Sequence, residues 1–120
     1  MALWRDADEE PRLLLTFYLR EGEPWRVLLD GRDGRFSPLQ RLFLGRLARA
    51  FPEAVRREDL MRELSLEPTG LYKLVHAVRR RLADPAAVEH VGSCVSRDGQ
   101  SFGFAGYRLV GVRVESREGR

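Results

Sequence analysis

Residues 69–82 read Thr-Gly-Leu-Tyr-Lys-Leu-Val-His-Ala-Val-Arg-Arg-Arg-Leu, followed by Ala83-Asp84-Pro85. Stepped at about 100° per residue, Leu71, Leu74, Val75, Val78 and Leu82 form one apolar stripe. Thr69, Lys73, His76, Ala77 and Arg80 lie opposite it, and Tyr72, Arg79 and Arg81 flank it. The spacing predicts a helix over 69–82, with Thr69 as a capping residue and Asp84-Pro85 as its stop. No carboxylate occurs between Pro68 and Ala83. An ordinary solvated helix mixes signs so that residues four apart attract. A helix set against phosphates must avoid acids and offer donors to base edges. Arg79, Arg80 and Arg81 also suit the negative end of the helix dipole, which accounts for one or two of them without any ligand.

Upstream, Ser65 to Pro68 reads as a turn, preceded by a short helix at 57–64 with Leu60, Met61 and Leu64 inward. Arg56 offers that helix no capping oxygen. Ser37-Pro38-Leu39-Gln40 opens an earlier helix: Ser caps, Pro suits the first position, and Gln three residues on completes a capping box. Leu39, Leu42, Phe43, Leu47, Ala50 and Phe51 then recur at helical spacing until Pro52. Before it, 12–20 and 25–30 read as a strand pair, Gly31 to Gly34 as a turn, and Arg35-Phe36 as a short third strand. Downstream, apolar segments at 88–95, 100–104 and 107–114 read as strands, with Asp98-Gly99 as a hairpin turn.

Charge is unevenly spread. Residues 1–34 carry five arginines against eight carboxylates, residues 35–82 eleven Lys/Arg against five, and residues 83–120 five of each. The excess of cations sits around the helical part, as on a polyanion-facing surface, although a salt-bridged helical surface gives the same sum. One cysteine, Cys94, permits neither an internal disulfide nor a cysteine-based zinc site, and His76 and His90 have no ligand-like company. No metal or other cofactor is therefore expected. No phosphate-binding glycine loop and no serine-nucleophile motif occurs, so the chain does not read as an enzyme. No run approaches the roughly 18 apolar residues of a membrane span, and the acidic start is unlike a secretory leader, which points to the cytoplasm. Trp4, Trp25, Phe36, Phe43 and Phe51 read as packing residues.

Strands, three helices, then a hairpin make an α+β chain with the layout of a winged helix-turn-helix: an N-terminal antiparallel sheet, three helices and a C-terminal hairpin. The pattern over about 12–110 resembles the winged-helix output domain of two-component response regulators, the OmpR/PhoB type, and the related domain of antibiotic-regulatory-protein-type activators. The residues carrying the resemblance are Phe36-Ser37-Pro38-Leu39-Gln40, Val55-Arg56-Arg57-Glu58-Asp59-Leu60, the stretch from Leu71 to Leu82, and Gly106-Tyr107-Arg108-Leu109. The resemblance implies a transcription regulator binding double-stranded DNA, with the third helix in the major groove and the hairpin at 91–109 as a wing in the minor groove. It also implies head-to-tail dimers on direct repeats. The residues expected to contact DNA are Thr69, Tyr72, Lys73, His76, Arg79, Arg80 and Arg81 on the helix, Arg97 and Arg108 on the wing, and Arg56 and Arg57 before the second helix.

The chain departs from that family in Ala77, Lys73, Arg56 and a longer stretch from Val91 to Phe104. Ala77 and that long stretch, with Phe102 and Phe104 near its end, motivate a second reading, a protein-interaction module docking on RNA polymerase or another regulator. The expected organisation is one domain: a flexible tail at 1–11, strands over 12–36, helices over 37–84, the wing hairpin over 85–114, and a flexible tail at 115–120.

Overall fold

The computed structural model describes residues 11–92 and 105–118. Arg97, Cys94, Phe102, Phe104, the Asp98-Gly99 turn, Trp4 and the expected tail at 1–10 lie outside the described residues.

Two tight hairpins open the chain. Strands β1 (Leu13–Arg20) and β2 (Glu23–Leu29) pair antiparallel through the two-residue loop Glu21-Gly22, both at positive φ (54° and 82°). Asp30-Gly31 repeats the device (49° and 85°) and leads into β3 (Arg32–Asp33). Positive φ at both loop positions gives the twist that matches flanking strands, and Asp-Gly tolerates it. The turn is therefore at 30–31 rather than across Gly31 to Gly34, and the third strand lies at Arg32–Asp33 rather than Arg35-Phe36. Phe36 is instead a buried core residue.

Helix α1 (Pro38–Ala50) begins at the expected capping box. Gln40 N–H donates to Ser37 Oγ (3.2 Å), and Ser37 N–H donates to Gln40 Oε1 (2.9 Å). Its buried side carries Phe43, Leu44 and Leu47. The two-residue strand β4 (Val55–Arg56) leads into α2 (Arg57–Leu64), which starts at Arg56 without a side-chain cap and ends at Ser65 in the left-handed conformation (φ 56°). Glu58 and Asp59 in its first turn favour the positive end of the helix.

Helix α3 (Pro68–Leu82) buries Leu71, Leu74, Val75, Val78 and Leu82, the stripe expected from the spacing. Its N-cap is Glu67, not Thr69: Pro68 takes the first helical position, so the boundary falls before it and Thr69 lies inside the first turn. Ala83 ends it in the left-handed conformation, and a single 3-10 turn, Pro85–Ala87, follows.

Strands β5 (Val88–Val91) and β6 (Gly106–Leu109) pair antiparallel, and β4 joins the outer side of β6. A Cβ on Gly106 would meet the Val55 carbonyl oxygen at 2.5 Å, so only glycine permits this close approach. After Gly111 (φ 65°), β7 (Val112–Glu118) runs back along the first sheet. It pairs parallel with β1, from Leu13 against Val112 to Leu19 against Glu118. The first sheet is therefore mixed, in the order β3-β2-β1-β7, rather than purely antiparallel. Residues 115–118 belong to a paired strand, not to a tail.

The chain is thus α+β, with three helices and two sheets among the described residues. One core joins Leu15, Phe17 and Val27 of the first sheet, Phe43 and Leu47 of α1, Leu60 of α2, the α3 stripe, and Tyr107 and Leu109 of β6. Burial of these side chains, each worth about 1.5–3 kcal/mol, fixes which side of α3 remains outside. No helix among the described residues is long and apolar enough to cross a membrane.

Candidate nucleic-acid interface

Helix α3 has one free side because its other side is in the core. Thr69, Lys73, His76 and Arg80 are exposed and follow one another three or four positions apart, and the exposed Tyr72 stands three after Thr69 and four before His76, so all five share one row on the helix. Tyr72 is 55% exposed, and its ring meets His76 edge-on at 4.4 Å between centroids. Lys73, Arg80 and Arg81 enter none of the ion pairs among the described residues. Arg81 is exposed on the flank of the apolar stripe opposite Arg79. The row thus presents two uncompensated cations, one imidazole, one phenol and one hydroxyl.

Arg79 departs from the expected role. Its guanidinium turns toward β5 and donates to the Val88 carbonyl from Nε (3.2 Å) and Nη2 (2.8 Å). Nη2 also lies 3.1 and 3.3 Å from the two ring nitrogens of His90. Arg79 is therefore a pin between α3 and the β5–β6 pair, half-buried and committed within the protein. His90, which sequence reading weighed only as a metal ligand, belongs to this junction. Its ring packs on Tyr107 at 5.3 Å between centroids. Burial, the Arg79 charge and His76, in that order, hold its pKa below the ordinary 6.5. A neutral His90 can accept from Arg79, whereas a protonated ring would oppose its guanidinium.

The other expected contacts divide similarly. Arg108 Nε donates to Glu89 Oε2 (2.6 Å) across the β5–β6 pair, so its charge is answered within the protein although both side chains remain partly exposed. Arg56 is well exposed and only loosely paired, 3.8 Å from Glu58. Arg57 is half-buried, and its backbone N–H donates to the Ala105 carbonyl (2.8 Å), tying the start of α2 to the strand beside it. Arg97 is outside the described residues. The structure therefore brings Thr69, Tyr72, Lys73, His76 and Arg80 together on one row. Arg79, Arg108 and Arg57 are engaged within the protein.

Nothing in the sequence of β5, Val88-Glu89-His90-Val91, gives a sign of the His90 contact. Only the pairing of β5 beside α3 places that ring against Arg79, so no local sequence signal could have found it. Compared with known proteins, the chain matches no family model, no curated protein and no solved structure.

Proposed function

We propose that this protein binds duplex DNA as a winged-helix transcription regulator, with α3 in the major groove and the β5–β6 pair as the base of a wing. The observation that carries the reading is the acid-free row Thr69, Tyr72, Lys73, His76 and Arg80, whose Lys73 and Arg80 have no carboxylate partner among the described residues. A desolvated cation without a partner is costly, but an exposed one is free to meet phosphate or the O6 and N7 acceptors of guanine. Tyr72 and Thr69 add a ring face and a hydroxyl for phosphate or base contacts. Arg81 and Arg56, both exposed, would contribute phosphate contacts and hence salt dependence rather than specificity.

The test is selection of bound sequences from random duplexes, followed by fluorescence anisotropy on the selected site. Lys73→Ala and Arg80→Ala should each weaken binding by about 1–3 kcal/mol if they read bases, or lower the salt slope by about one if they meet phosphate. Binding by a folded Lys73→Ala/Arg80→Ala variant as tight as that of the unchanged protein would remove the reading. The exposed Tyr72 favours a second reading, a protein-docking face for RNA polymerase or another regulator, because large exposed aromatics mark partner surfaces. In that case Tyr72→Ala would abolish capture of the partner while no selected duplex emerged.

A further inference from the structure

We propose that β7 is a dimerisation edge, at which two copies of this chain pair antiparallel about a two-fold axis at Val114. This inference is independent of the DNA reading. β7 is the outer strand of the mixed sheet, seven residues long, and no described strand pairs with its free side. The N–H and C=O groups on that side are a template for another strand.

The side chains select which strand. Arg113, Glu115 and Arg117 alternate along one face, with Glu115 3.7 Å from Arg113 and 3.6 Å from Arg117. Two copies of β7 laid antiparallel keep matching faces together only in every second register, because a one-residue slip exchanges the faces. Among those registers the charges alternate in sign. A pairing centred on Glu115 sets Glu115 against its own copy and Arg113 against Arg117. A pairing centred on Arg113 sets like charges together as well. The pairing centred on Val114 sets each Arg113 against Glu115 of the second copy and places Val114 against Val114. The pairing centred on Ser116 also matches charges, but it sets Val114 against Glu118 and has no apolar centre. Charge and burial together therefore favour Val114 as the centre, and symmetry supplies the Arg113–Glu115 contact twice.

A second observation lies beside that edge. A mostly apolar cleft of about 140 Å³ lies between α1 and the sheet, lined by Phe17, Leu19, Pro24, Ala48, Arg49 and, on β7, Val114 and Ser116. A two-fold axis normal to the sheet keeps both α1 helices on one face. Val114 of the second copy then extends the apolar lining of this cleft past the edge of the sheet.

Sedimentation velocity over a range of protein concentrations tests the proposal. The unchanged protein should form a reversible dimer. Arg113→Glu and Glu115→Arg should each weaken it about tenfold, since each turns two attractive contacts into repulsive ones. The double reversal should recover most of the affinity. A monomer at every concentration overturns the proposal, and so does a dimer indifferent to the single reversals or a folded double variant that stays as weak as the singles. Should a reversal impair folding, amide exchange on the unchanged protein decides. Residues 112–116 should exchange more slowly as concentration rises, and unaltered exchange there while a dimer forms overturns the β7 assignment.

Discussion

Arg79 and Arg80 stand one position apart and about 100° apart around α3. That angle sends one guanidinium to the Val88 carbonyl and leaves the other in solvent. Arg79→Ala would leave the carbonyl of the buried Val88 without that donor, and is expected to cost about 1–3 kcal/mol of stability in urea unfolding. Arg80→Ala is expected to leave stability within about 0.5 kcal/mol, the usual range for a surface change. His90 adds a pH dependence with a definite sign. Its pKa is depressed in the fold by burial, then by Arg79 and His76. The unfolded chain therefore takes up the proton first. The stabilising contribution is present above the ordinary value of 6.5 and is lost as the pH falls from there through the depressed folded value. Urea titrations across that window should show the loss, and His90→Gln should flatten it. At this scale the sequence was informative about the α3 wheel, because burial around a helix follows a fixed angle. It was uninformative about Arg79, whose partners come from β5 and are invisible to a wheel.

Helix α1 was legible down to its first residue because a capping box is a contact within four residues. Ser37→Ala is expected to cost about 1 kcal/mol by thermal or urea unfolding. The start of α3 was read less well. Thr69 has the side chain of a cap, but Pro68 holds the preceding residue extended and sets the boundary at Glu67. The Asp30-Gly31 turn was misplaced by one glycine for a similar reason, since the aspartate and not the second glycine, Gly34, completes the positive-φ pair. The junction of β4 and β6 had no local signal at all. Gly106→Ala would force a Cβ to 2.5 Å from the Val55 carbonyl oxygen. It should separate β4 from β6, lower the melting temperature, and loosen the start of α2 through the Arg57–Ala105 bond.

Across the whole molecule, the pairing of β1 with β7 was the feature least visible beforehand. From Arg113 onward the segment is mostly charged, and its strand character depends on Val112 and Val114 facing a strand about a hundred residues earlier. Nothing within a short window distinguishes such a strand from a tail. If two copies meet at Val114 and each reads DNA through α3, sites selected from random duplexes should be inverted repeats, because the operator repeats the symmetry of the protein. Direct repeats would fit the head-to-tail arrangement that the family resemblance implies. The parallel ladder also sets how the fold resists force. Leu13 at the start of β1 lies beside Val112 at the start of β7, so tension applied at Pro11 and Glu118 draws two adjacent strands in opposite directions. The load then falls on all of their slanted hydrogen bonds together, a shearing geometry rather than an unzipping one. Stretched from those two points in an optical trap, the protein should rupture at a higher force than when pulled from Leu15 and Leu29, at the open end of the first hairpin, where the β1–β2 pair opens one bond at a time.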